Sequence, residues 1–329
     1  MRFGPVPVAD AQGAILAHRE TLPDGTLSKG HVLTAADLDR LATAGLDRVT
    51  VARLDPGDVD EDRAAADLAE TLVAGAPGLR LGVAATGRVN VIADAPGLAA
   101  LQVAALQAVN RIDPMITVAT VPDLHRMEAG GLVATVKIIS YAVGQEPLRA
   151  ACDAGRAAIA LHRPSIDRVA LIETRAGRDL GDKGVRSLRT RLDRLGVGFA
   201  GRSLVDHDAQ AIAQALIATD APLVCILTGS ATSDLNDTAP EGVRLAGGTV
   251  DHFGMPVDPG NLLFLGHHAG RPVVGLPGCA RSPALNGADW VLERLLCGLD
   301  VTPAAIADMG VGGLLKEIPS RPRPRRATD

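Results

Sequence analysis

The sequence predicts an α/β protein whose second half is a three-layer α/β/α domain with a mostly parallel sheet. Strand and helix patterns alternate regularly after residue 168, which is typical of parallel strands joined by crossover helices. Aromatic residues make up only 2% of the chain, whereas 47% of its residues are hydrophobic. The core is therefore expected to consist of Ala, Val, Leu and Ile, which suit helices packed on a buried sheet.

The length of 329 residues predicts about two domains. Residues 1–150 combine short strands, turns and modest helices, and they predict a smaller mixed α+β region ahead of the α/β domain. We interpret residues 151–167 as a linker, residues 168–300 as the α/β domain, and residues 301–329 as a C-terminal extension that ends in a Pro/Arg-rich tail.

Local patterns predict individual elements in both halves. Thr34 precedes an amphipathic stretch and predicts a helix N-cap. Residues 86–90 predict a turn, and residues 99–109 predict a helix. In the second half, strands are expected at 168–173, 197–199, 223–227, 262–265 and 272–275, and helices at 184–195, 208–218 and 284–297 and from about Pro240.

Charge and composition argue against nucleic acid and membrane partners. The net charge is −5, and scarce aromatic residues leave few platforms on which bases could stack. The run Arg321–Arg326 alternates Arg with Pro and is interpreted as a solvated tail or linker stub. No stretch approaches the roughly 20 apolar residues of a membrane span, and the start does not resemble a leader. We expect a cytoplasmic protein.

The four cysteines, Cys152, Cys225, Cys279 and Cys297, form no C-x-x-C pair. A structural zinc site and a disulfide framework are therefore not expected, and reduced thiols fit the cytosol. Cys279 lies in a glycine turn, where we expect a buried and inert thiol rather than a reactive one.

Two loops follow apolar strands, and ligands of open parallel sheets lie beyond the carboxyl ends of strands. The Thr228 loop (residues 228–238) is rich in hydroxyl groups and leads into a helix, which suits an anion such as phosphate. Its Asp234 and Asp237 are of the type that holds Mg²⁺ beside a phosphate. The alternative is that these Ser, Thr and Asp residues only form turns and N-caps.

The second loop is the Gly278 loop (residues 276–282). Gly278 permits close approach of a ligand to the backbone, and Arg281 is suited to pair with phosphate or carboxylate. The alternative is an ordinary proline turn.

Other candidate residues are weaker. His267 and His268 are neighbours on a strand and point to opposite faces, so they make poor joint metal ligands. His252 and Asp251 lie near a strand end. In the first half, Lys137 and Arg88 are candidates for contact with an anionic ligand, with solvated charges as the alternative.

With these loops in view, the second half resembles the molybdopterin-binding domain of MoeA/MogA-like proteins of molybdenum-cofactor biosynthesis. The resemblance is carried by TGSATSDLND (228–237), LPGCARS (276–282) and AGGTVDHFGMPVDPGNLLFLG (246–266). The opening FGPVPVADAQGAILAH, with KGHVL, NGADWVLERLL and MGVGGLLKEI, is similar to the region that precedes a cofactor cytidylyltransferase domain in fused proteins.

This resemblance implies molybdopterin as ligand, with Mg²⁺ as a further cofactor. It implies that Asp234 and Asp237 act as catalytic and metal-binding residues, positioning magnesium or the pterin ring nitrogens. The residues implied to hold the phosphate or pterin are Thr228, Gly229, Ser230 and Ser233, with Gly278, Arg281 and Ser282 closing the other side.

Two departures from the family pattern leave the activity open. Gly229-Ser230 stands where active members carry a double glycine, and Glu173–Arg178 stands where they carry Gly-Asp-Glu or an equivalent. One hypothesis is an enzyme of nucleotidyl transfer or metal insertion. The alternative is a non-catalytic carrier that delivers the cofactor to a separate cytidylyltransferase or a molybdoenzyme. A relative that kept only the fold is a third reading. We expect a homo-oligomer in each case.

Overall fold

The computed structural model describes residues 1–175, 177 and 181–315. The Arg321–Arg326 run and the end of MGVGGLLKEI, both singled out in the sequence, lie outside the described residues.

The chain forms two compact units. Unit 1 comprises Met1–Ala95 and Ala99–Leu161, and unit 2 comprises Pro96–Leu98 and the chain from His162 onward.

Unit 1 is a mixed α+β structure of short strands and four helices. Its helices are α1 (Ala35–Thr43), α2 (Glu61–Val73), α3 (Val103–Ile112) and α4 (Gln145–Gly155). Its strands are β1 (Arg2–Pro7), β2 (Ile15–Leu16), β3 (Glu20–Leu22), β4 (Gly25–Leu27), β5 (Arg48–Arg53), β6 (Asp58–Asp60), β7 (Leu79–Leu81), β8 (Arg88–Ala93), β10 (Ile116–Thr120), β11 (His125–Met127), β12 (Leu132–Ile138) and β13 (Ala142–Gly144). Two further strands, β9 (Gly97–Leu101) and β14 (Ile159–His162), belong to unit 1 except for Gly97, Leu98 and His162, which are assigned to unit 2.

Two apolar clusters hold unit 1 together. The larger cluster packs α2, α3 and α4 on the antiparallel sheet β10-β12-β8-β7. The smaller cluster packs α1 on the sheet β1-β5-β2. The N-cap prediction is confirmed: Thr34 and Asp37 form a capping box in which each side chain bonds the other residue's backbone N–H.

Unit 1 also differs from two local predictions. Strand β8 begins at Arg88, inside the predicted turn, because Val89, Val91 and Ala93 are buried at alternate positions between β7 and β12. The predicted linker 151–167 contains the end of α4 and all of β14, because Ala151 and Ile159 are fully buried in the larger cluster.

Unit 2 is the α/β domain. Its helices are α5 (Lys183–Asp193), α6 (Ala209–Ala218), α7 (Thr238–Leu245), α8 (Gly287–Leu296) and α9 (Pro303–Ala307). Its strands are β15 (Arg168–Arg175), β16 (Gly198–Asp206), β17 (Leu223–Leu227), β18 (Thr249–Phe253), β19 (Phe264–His268) and β20 (Arg271–Leu276).

The sheet of unit 2 has the order β16-β15-β17-β20-β19-β18. The pairings among β16, β15, β17 and β20 are parallel, and those of β19 with β20 and β18 are antiparallel. Apolar residues cover both faces of the central strands: Cys225 packs with α5 and α8, whereas its neighbours Val224 and Ile226 pack with α6 and α7. This alternation gives three layers, which confirms the predicted α/β/α architecture with a mostly parallel sheet.

Part of the predicted C-terminal extension belongs to this domain. Val301, Ile306 and Met309 are buried in the same apolar cluster as α5 and α8. The compact fold therefore extends past residue 300, because these apolar side chains complete the core. No helix in the described part of the chain is long and apolar enough to cross a membrane.

Candidate functional site

The carboxyl ends of β15, β17 and β20 meet at one edge of the sheet in unit 2. Glu173 on β15 pairs in register with Leu227 on β17, and Leu227 pairs with Leu276 on β20. The Thr228 loop starts directly after Leu227, and the Gly278 loop starts at Leu276. The structure therefore brings together the two loops that were selected from the sequence, as parallel pairing requires.

Arg281 joins the two loops. Its Nη2 atom donates to the backbone oxygen of Thr228 over 3.0 Å and lies 3.4 Å from Oε1 of Glu173. The guanidinium thus ties the Gly278 loop to the start of the Thr228 loop and to the first strand. A planar, permanently charged group with several donors is suited to this role.

Glu173 is a functional candidate that sequence reasoning missed. Its side chain is 0% exposed, and its second oxygen lies 3.3 Å from Nη1 of Arg202. Two arginines therefore compensate one buried carboxylate. The sequence signal was a single acidic residue at the end of an otherwise apolar strand.

The backbone of α5 passes close to this carboxylate at Gly184. A Cβ at that position would lie 2.8 Å from Oε1 of Glu173 and 2.7 Å from Cδ2 of Leu227. Only glycine fits without displacing a neighbour, so the start of α5 is fixed against the buried carboxylate.

Thr174 is a second residue that sequence reasoning missed. It is fully buried, and its hydroxyl oxygen accepts a 2.9 Å hydrogen bond from the backbone N–H of Gly229. The same oxygen lies 2.9 Å from Nδ1 of His207. This contact anchors the first turn of the Thr228 loop to the neighbouring strand.

Within the Thr228 loop, some hydroxyl groups are already engaged by the loop itself. The Thr228 hydroxyl donates to the carbonyl of Ser230 over 2.5 Å, and that of Ser233 donates to Ala231 over 3.4 Å. Thr228 is buried, whereas Ser230 and Ser233 are exposed. Thr228 therefore shapes the loop, and Ser230 and Ser233 are the hydroxyl residues that face outward.

Asp237 is the N-cap of α7. One of its carboxylate oxygens accepts from the N–H of Thr238 over 2.7 Å, and the other accepts from the N–H of Ser233 over 2.9 Å. Partial burial raises the pKa of Asp237, but these two hydrogen bonds and the charge of His207 outweigh it, so its pKa lies below the usual value. The carboxylate is ionised and committed to holding the loop.

Asp234 lies on the exposed side of the same loop, and its Oδ1 accepts from the N–H of Asn236 over 2.8 Å. Among the residues that the structure describes, no group of three or more His, Cys, Asp and Glu side chains could hold a metal ion. The magnesium prediction therefore depends on Asp234 and Asp237 alone, and Asp237 already has a structural role.

The Gly278 loop forms a 3-10 turn over Gly278–Arg281. A Cβ at Gly278 would meet no atom within 4 Å, so the space beside this backbone is open. Ser282 is exposed, and its hydroxyl accepts from the N–H of Ala284 over 3.3 Å. The loop leaves its backbone accessible at Gly278 and keeps its own shape through local hydrogen bonds.

A buried ion pair contacts the backbone of the Gly278 loop and stabilises its conformation. Nε of Arg191 lies 2.7 Å from Oδ1 of Asp289, and the two side chains are 4% and 1% exposed. Arg191 also donates to the backbone oxygens of Ala280, over 3.1 Å, and Ser282, over 3.0 Å. Because these donors satisfy carbonyls inside the protein, the pair fixes the loop's conformation.

Cys279 is exposed, so the expectation of a buried thiol was wrong. The turn buries the side chain of Ala280 instead, and the side chain of the preceding Cys279 is exposed to solvent. The sulfur atom of Cys279 accepts a 3.0 Å hydrogen bond from the side-chain amide of Asn286.

The weaker candidates have partners outside the two loops. His267 pairs with Asp251 at 2.5 Å across β18 and β19. In unit 1, Lys137 lies 3.7 Å from Glu61. Burial raises the pKa of Glu61, although the charge of Lys137 opposes this effect. Lys137 thus serves a local ion pair.

One family model matches part of the chain. Residues 5–53 match a family described as a domain of unknown function (DUF8806). Among curated protein sequences, none matches the chain.

Three solved structures are similar to parts of the chain at low identity. The molybdopterin biosynthesis MoeA protein of Pyrococcus horikoshii aligns with 90% of this chain and 75% of its own, at 16% identity and a TM-score of 0.30. A molybdenum cofactor biosynthesis protein B aligns over 40% of this chain and 88% of its own, at 17% identity and a TM-score of 0.28. The molybdopterin biosynthesis enzyme MoaB of Thermus thermophilus aligns over 46% of this chain and 100% of its own, at 18% identity and a TM-score of 0.25.

Proposed function

We propose that unit 2 binds molybdopterin at the edge formed by the Thr228 and Gly278 loops, and that the protein handles this ligand in molybdenum-cofactor biosynthesis. The observation that carries the proposal is the Arg281 bridge, which brings the two motif loops of the resemblance to one site. The ligand's terminal phosphate is the group that such a site selects most strongly.

Each loop contributes a different kind of contact. The exposed Ser230 and Ser233 offer hydroxyl groups and backbone N–H groups on one side. Gly278 offers open backbone on the other side, where a flat pterin ring can approach closely. Arg281 supplies positive charge between them. The site acts mainly by positioning and by charge, which is what recognition of a phosphate ester requires.

A carrier without catalytic activity is the second candidate function. It is supported by Asp237, whose two carboxylate oxygens both accept backbone N–H groups of its own loop. In the carrier proposal, the protein passes the ligand to a separate cytidylyltransferase or molybdoenzyme in the cytoplasm. In the enzyme proposal, Asp234 and Asp237 bind Mg²⁺ and assist nucleotidyl transfer or metal insertion.

Equilibrium binding tests the proposed function. Protein produced in a host without the cofactor pathway is titrated anaerobically with molybdopterin, beside the variant Gly278→Val. We expect the wild type to bind one ligand per chain and the variant to bind at least tenfold more weakly with an unchanged melting temperature. Failure of the wild type to bind, or equal affinity of the two proteins, would overturn the proposal.

Turnover separates the two candidate functions. The loaded protein is incubated with Mg²⁺ and either ATP or CTP, and release of pyrophosphate is followed. Release that depends on molybdopterin supports nucleotidyl transfer. Binding without release excludes nucleotidyl transfer, and the carrier is then supported if added molybdate is also not incorporated into the bound ligand.

A further inference from the structure

A cavity of about 290 Å³ in unit 2 lies beside the Gly278 loop. One wall is a single face of α5, formed by residues at helical spacing. The other wall comes from the Gly278 loop and the residue that follows it. The lining residues are Lys183, Arg186, Ser187, Thr190, Arg281 and Pro283.

This cavity is strongly basic, since three of its six lining residues are Lys or Arg and none is acidic. Within the described part of the chain, the side chains of Lys183 and Arg186 have no hydrogen-bond or ion-pair partner. The adjacent Asp182 does not neutralise them, because its carboxylate lies 3.2 Å from Arg202. Among the described residues, no carboxylate pairs with these two cations on one face of α5.

Two other arginines of α5 have contacts outside the cavity. Arg189 packs over the ring of Phe199, with 4.8 Å from its guanidinium carbon to the ring centroid. Arg191 is buried against Asp289. The contrast shows that α5 directs its unpaired charges toward the cavity rather than around the whole helix.

Arg281 adds a third cation to the lining of the same cavity. Its Nη2 is bonded to Thr228 and Glu173, whereas its Nε is buried and has no hydrogen-bond partner among the described residues. A buried donor without an acceptor is costly, at about 1–3 kcal/mol.

The hydroxyl groups of the lining cannot donate to a ligand. Ser187 donates to the carbonyl of Ala280 over 2.7 Å, and Thr190 donates to the carbonyl of Arg186 over 2.9 Å. Binding must therefore rely on the three cations. Such a set selects a ligand with several negative oxygens rather than a neutral or singly charged group.

We propose that Lys183, Arg186 and Arg281 form a diphosphate-binding subsite beside the pterin site, and that Lys183 and Arg186 determine specificity for a ligand with more than one phosphate. One part of this inference rests on the proposed function: the subsite would select a nucleotide-bearing form of molybdopterin over the bare monophosphate.

Isothermal titration with inorganic pyrophosphate and with inorganic phosphate tests the subsite without any pterin. The full chain is compared with the double variant Lys183→Gln/Arg186→Gln. The control is Arg189→Gln paired with Arg168→Gln, which removes the same charge from unit 2 outside the cavity. Because the side chains of Lys183 and Arg186 have no partners in the described chain, their loss should leave the melting temperature unchanged.

We expect the wild type to bind pyrophosphate at least tenfold more tightly than phosphate, the double variant to lose at least tenfold in pyrophosphate affinity, and the control to retain it. Absence of pyrophosphate binding, or equal loss in the control, would overturn the subsite. Pterin content measured on the same proteins separates the two proposals: pyrophosphate binding without molybdopterin binding keeps the subsite and removes the proposed function.

Discussion

The guanidinium of Arg281 reaches the backbone oxygen of Thr228 over 3.0 Å, although the two residues are 53 positions apart in the chain. The same Nη2 atom lies 3.4 Å from the buried carboxylate of Glu173. One side chain thus connects the ends of three parallel strands. Site geometry and local stability should therefore depend together on Arg281.

The substitution Arg281→Gln tests this coupling. It removes one of the two arginines that compensate Glu173 and should lower the free energy of unfolding by about 1–3 kcal/mol. Ligand affinity should fall by more than tenfold, because the loops lose both their link and a cation. Denaturation followed by the fluorescence of the single Trp, Trp290 in unit 2, measures the first effect. Unchanged stability and affinity would remove Arg281 from the site.

The buried pair Arg191–Asp289 predicts a large and coupled stability effect. Arg191→Met leaves Asp289 charged and buried, which costs about 3–5 kcal/mol. Adding Asp289→Asn should cost less than the sum of the two single changes, because the uncompensated charge is gone. The measurement is a urea-denaturation cycle of the four proteins. Strict additivity of the two free-energy changes would mean that the two side chains do not interact. Arg194→Met is the control, and we expect it to change the free energy of unfolding little.

Substitution to Ala at two glycines of the site should have different effects on stability. Gly184→Ala places a methyl group 2.8 Å from Glu173, and overpacking of this kind costs about 1–3 kcal/mol. This cost outweighs the gain of Ala over Gly, which is at most about 1 kcal/mol in a helix interior and smaller in the first turn, where Gly184 lies. Gly278→Ala meets no atom within 4 Å and should leave stability unchanged. Thermal unfolding compares them, and a melting temperature of Gly184→Ala at or above that of the wild type would contradict the close approach.

The capping box of α1 predicts a pH dependence of stability in unit 1. Hydrogen bonds from the Thr34 side chain, from His31 and from the Thr34 backbone hold the pKa of Asp37 well below its usual value. Because the folded-state pKa lies below the unfolded one, of about 3.9, the stabilisation is present above that pH and is lost as the pH falls through the folded-state pKa.

Asp37→Asn should therefore be less stable than the wild type at pH 7, with the difference shrinking below about pH 4. The fluorescence of Tyr141, the one Tyr of the chain, follows the unfolding of unit 1. Asp39→Asn, on the same helix, is the control. A stability difference that stays constant from pH 7 to pH 2 would show that Asp37 contributes through packing alone.

Patterns that depend on local sequence predicted much of the fold. The Thr34 cap and the central apolar strands follow from near neighbours in the chain, and the strands brought both loops to one edge. The buried partners of the site could not be predicted in this way. Glu173 and Arg281 are 108 positions apart, and Arg191 and Asp289 are 98 apart. Which side chains meet over such separations is decided by packing of the folded domain.

In unit 1, the errors have a different cause. Arg88–Ala93 begins with residues typical of a turn, yet three alternate apolar positions make it an inner strand. Alternation over six residues is a short signal, and a Gly beside it outweighed it in the prediction.

The central claim is most directly tested by the ligand that the protein retains in a cell. Wild type and Gly278→Val are purified from a host that makes the molybdenum cofactor, denatured under oxidising conditions, and examined for the fluorescent pterin derivative. The account predicts pterin in the wild type and none in the variant, at equal melting temperatures. No pterin in either protein, even after incubation with added molybdopterin, would contradict it.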